Sequence, residues 1–197
     1  MVREGTLSFD ARATAGDFSG TTRTVRGEMT GGGLSAVRGW VEAPTKTLVT
    51  GNNRRDRDLN KSMESDKYPT IRFDLDSVTP GAARGDTLDV VLKGRFTIHG
   101  VTRDAELPAA VVLAPGAVKV RAETPLNLKE YKIGGLSKAF GMLRMHEEII
   151  VHIDLTFGPA NAEAAALGTG AHELSDGGNS DLAIMDDSVL GEPQEGE

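Results

Sequence analysis

Cysteine is absent from the 197 residues, which excludes disulfide staples, thiol nucleophiles and thiolate metal ligands. Aromatic residues are few: one Trp, two Tyr and six Phe. No apolar run approaches the roughly 20 residues of a membrane-spanning helix. The opening MVREGTLSFDARATAGDF lacks the apolar stretch of a secretory signal. With Met1 as the native start the expected location is cytoplasmic; with a leader removed it is periplasmic or secreted. Two nucleotide and hydrolase signatures are missing too. There is no G-x-x-x-x-G-K-[ST] phosphate loop and no G-x-S-x-G nucleophile turn.

Basic residues are absent from 158–197, where nine Asp and Glu stand without a single Lys or Arg. That leaves 22 basic and 20 acidic residues in 1–157, so the formal charge of −7 is the tail's, not the body's. A near-neutral body makes no case for nucleic acid as a partner. The tail is rich in Gly, Ala, Ser and Asp, a composition that buries too little to fold and is expected to be disordered. Within it, Asp181–Leu190 mixes Leu182, Ile184, Met185, Val189 and Leu190 with three aspartates. It reads either as a solubilising stretch or as a docking peptide for a protein partner.

What the body does have is alternation. Leu88, Val90, Leu92, Phe96 and Ile98 fall on one side of a pleat, with Gly94 among them, and Asp89, Lys93, Arg95 and Thr97 fall on the other. The same pattern recurs in Leu7–Phe9, Ile71–Leu75, Leu107–Leu113, Val118–Leu128 and Ile149–Phe157. Turn signals at Pro80-Gly81, Gly85-Asp86, His99-Gly100 and Pro115-Gly116 separate the later runs. Gly16–Gly33, with six glycines, can be strand only with bulges and turns. Leu34–Val49 reads as a strand broken at Pro44, with Val37 and Val41 competing against Trp40 for the inner face. Asn53–Lys67 is charged, with Leu59 and Met63 four apart. It predicts a short surface helix that ends before Pro69.

These elements predict an all-β antiparallel meander. A sheet with one apolar face and one helix covers itself most economically by closing into a barrel of about eight strands. Periodicity does not distinguish a barrel filled by side chains from one that encloses a ligand.

Little in the chain suggests catalysis. His146, Glu148 and His152 share a strand face, but the two histidines are about 20 Å apart at ~3.3 Å per residue, too far for one metal. His99 reads as a turn residue. Asp56 is expected to cap a helix N-terminus, with Arg55 pairing to the rim or meeting a ligand's polar head. No metal site, cofactor or catalytic residue is expected. Long two-faced strands suit holding something apolar better than cutting something polar.

Two stretches add to this. One is Thr50-Gly51-Asn52 through Arg55-Asp56-Arg57-Asp58-Leu59, followed by Tyr68-Pro69-Thr70-Ile71-Arg72-Phe73. The other is Gly94-Arg95-Phe96-Thr97-Ile98-His99-Gly100-Val101-Thr102-Arg103. In this order and spacing they resemble the YceI-like family over about residues 5–157. The resemblance implies a lipocalin-like barrel with a helix inserted at Asn53–Lys67. It also implies non-covalent binding of polyisoprenoids, isoprenoid quinones or similar amphiphiles inside, and no generally established reaction. Many members are periplasmic. The glycine-rich first 35 residues and the missing leader depart from that pattern.

The expected domains are therefore a barrel over 1–157 and a tail over 158–197. Expected wall residues are Phe73, Leu75, Val90, Leu92, Phe96, Val111, Val120, Ile153 and Leu155. The 129–145 loop is the candidate gate, with Gly134 and Gly135 as hinge and Leu136, Phe140 and Met142 as apolar cover. Arg55 and Lys132 are candidate head-group contacts. Lys132, Lys138 and Arg144 suit contact with an anionic head group or transient contact with a membrane surface. A second copy of the chain is a further partner left open. The competing reading is an interaction module with a filled barrel, working through its surface or its tail.

Overall fold

The computed structural model describes residues 1–159 apart from 32, 34, 35, 135, 136 and 139–142. By its contacts the chain divides into Met1–Ala162 and Glu163–Glu197, and all described residues lie in the first unit. The segment Asp181–Leu190 therefore falls outside them, as do Gly135, Leu136, Phe140 and Met142 of the expected gate.

The strands are β1 (Val2–Ala13), β2 (Phe18–Thr22), β3 (Arg26–Thr30), β4 (Arg38–Pro44), β5 (Thr70–Arg84), β6 (Thr87–Ile98), β7 (Val101–Ala114), β8 (Ala117–Asn127), β9 (Ser137–Lys138) and β10 (Leu143–Phe157), with helix α1 (Asn53–Ser62) between β4 and β5. Nine of the strands run side by side in the order β2-β1-β10-β8-β7-β6-β5-β4-β3, and the two-residue β9 pairs with β10 off that path. All the pairings are antiparallel. The edge strands β2 and β3 are joined by Arg23–Val25 alone, so the sheet must roll until its edges meet. The result is the all-β curled sheet that the alternation predicts, with nine strands instead of about eight.

The inner face follows the pleat. Val90, Leu92, Gly94, Phe96 and Ile98 of β6 are buried. Phe73 lies opposite Phe96 with ring centroids 4.8 Å apart. Gly94 is needed beside that pair: a Cβ there would collide with the Asp74 carbonyl and the Phe73 ring. Gly20 of β2 serves Phe9 in the same way. This explains how a glycine-rich stretch can still be strand. The competition in β4 resolves by register. Val41 pairs with inward Phe73, while Trp40 faces out with the Arg72 guanidinium 4.6 Å above its ring. Arg72 also holds Asp74 at 2.8 Å and Glu42 at 3.1 Å on that outer face.

Several boundaries differ from the sequence reading. β1 is much longer than Leu7–Phe9, because it pairs with β10 from Val2↔Phe157 to Ala13↔Met145. β5 runs through Pro80-Gly81 and turns only at Gly85-Asp86; a register shift between Pro80 and Ala83 absorbs the missing proline N–H. Leu113 shares the parity of Val111 but is 63 % exposed, since the β7–β8 hairpin projects past the core. The helix ends at Ser62, not Lys67, and Glu64 then turns the chain at φ 43°. Part of the 129–145 loop is regular: a 3-10 turn at Leu128–Tyr131, then β9 and the start of β10.

Candidate functional site

The strands place two kinds of interior inside one barrel. Toward the β5–β6 and β7–β8 hairpins, Val78, Val90, Ala109, Val111 and Phe157 are buried and belong to the apolar core. Toward the other end lies a cavity of about 470 Å³. That volume is within the roughly 300–1,000 Å³ of ordinary small-molecule sites.

Seven of the nine expected wall residues line this cavity: Phe73, Leu75, Leu92, Phe96, Val120, Ile153 and Leu155. Val90 and Val111 do not. They are only 3 % and 5 % exposed, but they lie nearer the hairpins, beyond the cavity's floor. Alternation reports which face a residue takes, not how deep it sits along the barrel. The lining also includes residues that the sequence reading missed as walls, among them Phe9, Ile98, Leu126, Leu128, Ile133 and Val151. Most of these share the parity of residues already chosen, which was the available signal.

Helix α1 roofs the hollow end. Its cavity side carries Arg55, Asp58, Leu59, Ser62 and Met63, the spacing of one helical face. Thus Leu59 and Met63, which read as a surface helix's apolar contact, look onto the cavity. The cap is Asn52, whose Oδ1 accepts from the amides of Arg54 and Arg55 at 3.0 and 3.1 Å. Asp56, expected to be the cap, instead accepts from the Thr50 amide and hydroxyl at 2.8 and 2.7 Å. It ties the helix to the chain before it. Arg55 reaches inward, its guanidinium 4.3 Å from the centroid of the Phe18 ring.

The other end of α1 is fastened through His99. This residue occupies the β6–β7 turn at φ 51° and is buried. Its Nδ1 lies 3.0 Å from the Tyr131 carbonyl oxygen. Its Nε2 sits 2.9 Å from Glu64 Oε2, at an angle too poor for a hydrogen bond. The Tyr68 ring packs edge-on at 4.6 Å. One imidazole thereby links the end of the helix, the β6–β7 turn and the 3-10 turn that carries Leu128. Burial pushes the Tyr131 phenol up from its ordinary range, so it stays protonated near neutral pH.

The lining also takes in Ala13–Gly16 together with Arg144 and Met145, with Thr14, Ala15, Gly16 and Arg144 exposed. Arg54 joins Arg55 on the helix side. Of the two expected head-group contacts, Arg55 is at the cavity. Lys132 is not: it is exposed, with φ 56°, and outside the lining. Gly134 is likewise exposed and outside the lining. His152, on the outer face, lies between Asp10 at 2.8 Å and Glu123 at 3.2 Å and is not on the cavity lining. Among the described residues no group of three His, Asp or Glu is arranged to hold a metal ion, and no helix is long and apolar enough to cross a membrane.

The pattern of the YceI-like domain matches residues 3–157. No curated protein matches by sequence. Among solved structures, the chain is similar to BcnA of Burkholderia cenocepacia, with a TM-score of 0.65 and 12 % identity over 78 % of this chain and 96 % of that one. It is also similar to a polyisoprenoid binding domain from Saccharophagus degradans implicated in plant cell wall breakdown, with a TM-score of 0.63 and 14 % identity over 78 % and 93 % of the two chains. A YCEI protein of Campylobacter jejuni aligns with a TM-score of 0.58 and 15 % identity, covering 71 % of this chain and 84 % of that one. At such identities the likeness establishes the fold.

Proposed function

The chain belongs to the YceI-like family, and on that premise we propose that its hollow half binds one long apolar or amphiphilic molecule, of the polyisoprenoid or isoprenoid-quinone kind, without covalent chemistry. The observation that carries this is the cavity itself. It holds about 470 Å³, and its walls are largely Leu, Ile, Val and Phe. Apolar burial contributes about 25 cal/mol per Å². A chain that loses several hundred Å² of contact with water gains roughly 5–10 kcal/mol before ordering costs. The walls can supply that without any catalytic group.

The rival reading, a filled barrel acting as an interaction module, fits the hairpin end but leaves the hollow end without a purpose. Solvent extraction of the purified protein, followed by mass spectrometry, separates the two. A lipid or quinone at one per chain is the expected result. The proposal fails if no ligand is extracted and added geranylgeraniol does not raise the melting temperature.

A further inference from the structure

The cavity's polar residues are not a balanced set. Three arginines border the opening: Arg54 and Arg55 from the first turn of α1, and Arg144 from the start of β10. Two carboxylates are on the lining, Asp58 and Glu42. Glu42 is committed to the outer face, held by Arg26 at 2.6 Å and Arg72 at 3.1 Å, which leaves Asp58 as the one lining carboxylate among the described residues to set against three arginines. The nearest further carboxylate along α1, Asp56, is spent on Thr50. Arg54 and Arg144 are exposed residues on the lining. Arg55 has only the face of Phe18.

Placing two arginines in the first turn of a helix works against the helix dipole, whose N-terminal end is already positive. The lining thus gathers three arginines, of which Arg55 alone is stacked on an aromatic ring, while the body as a whole is nearly neutral. Arginine forks suit planar or tetrahedral oxyanions. Below them the walls are apolar. From this juxtaposition we infer that the ligand is an amphiphile with an anionic head group, a phosphate ester or a carboxylate. Its chain lies in the hollow half, and its head is met by Arg54, Arg55 and Arg144. This rests on the lipid-binding reading above and adds the class of head group.

The test compares ligands with one chain and three heads: geranylgeraniol, geranylgeranyl phosphate and geranylgeranoic acid. Affinities are measured by displacement of a fluorescent polyene from the full-length protein at low and high salt. The expected result is that at least one anion binds tenfold or more tightly than the alcohol at low salt. That preference should shrink to about threefold or less in 0.5 M NaCl, where screening is short-ranged. Whichever anion leads identifies phosphate or carboxylate as the head. The double change Arg54→Gln with Arg144→Gln, at two exposed positions, should bring the anion-to-alcohol ratio close to one, whereas Arg54→Lys with Arg144→Lys should keep most of it. Equal binding of all three ligands overturns the inference and leaves lipid binding intact. A preference that survives the Gln changes also overturns it. If none of the three binds, the lipid-binding reading falls and takes the inference with it.

Discussion

The hairpin end and the helix end of this barrel are lined by the same strands, in the same alternation, yet one is solid and the other hollow. At the hairpin end Val78, Val90, Val111 and Phe157 are buried and lie outside the cavity lining. At the helix end Phe96, Leu128, Ile133 and Val151 face open space instead. The strand faces do not differ in character. What differs is the closure. The hairpins between β5 and β6 and between β7 and β8 end one half, whereas the other is roofed by α1 and opens beside it at Ala13–Gly16, Arg144 and Met145. A void too large for its walls to fill forfeits their dispersion contacts, so the hollow half carries a stability cost that the solid half does not. A resident ligand would offset it.

This contrast can be pressed by mutation. The largest effect is expected at Phe157→Ala in the solid half. It should cost about 3–5 kcal/mol in urea unfolding, because a large buried ring leaves a hole that its neighbours cannot close. The affinity of the folded fraction for geranylgeraniol should not change. If that affinity falls in step with stability, the two halves are not separate. The sharper comparison is Val111→Phe against Val151→Phe. Both valines are buried, at 5 % and 8 % exposure. The first enlarges a side chain where space is full and should cost about 1–3 kcal/mol. The second enlarges one beside open volume and should change stability by less than about 1 kcal/mol, while abolishing geranylgeraniol binding. Equal costs would show that the hollow half collapses in solution.

His99→Asn comes next. Asparagine tolerates the left-handed turn but forfeits the reach to Tyr131 and Glu64. A loss of about 1–2 kcal/mol is expected, with amide exchange accelerated in α1 and Leu128–Tyr131 and unchanged in β7 and β8 near their hairpin. Uniform acceleration would mean that the imidazole does not fasten the roof in particular. The smallest effect is assigned to truncation after Pro159. Removal of the acidic tail should leave geranylgeraniol binding within about twofold, or less than about 0.5 kcal/mol. A larger loss would move the domain boundary that the composition suggests.

The same contrast shows what was legible in the sequence. Alternation from Leu88 to Ile98 identifies the inner face of β6, and its logic extends to β5, β8 and β10. It is blind to depth. Val90 and Leu92 share a face, yet only Leu92 reaches the cavity, because period two says nothing about where the barrel closes. Trp40 and Val41 are not ranked by sequence, since the deciding factor is the register of β4 on β5, which sets Val41 opposite Phe73 and leaves Trp40 under Arg72. The arginines at the opening show another limit. Arg55 stood out because it lay inside a recognisable stretch. Arg54 reads as ordinary helix charge, and Arg144 reads as one of three basic loop residues that suit an anionic head group or a membrane surface, with nothing to set it apart from Lys132 and Lys138. Only the fold brings the start of α1 and the start of β10 to one rim.

The central claim is that the ligand occupies the helix half and leaves the hairpin half untouched. Methyl NMR of Ile, Leu and Val during titration with geranylgeraniol tests it most directly. Large shifts are expected at Ile98, Leu128, Ile133 and Val151, with Val78, Val90 and Val111 unmoved. Equal shifts in both halves, or none in either, would contradict it.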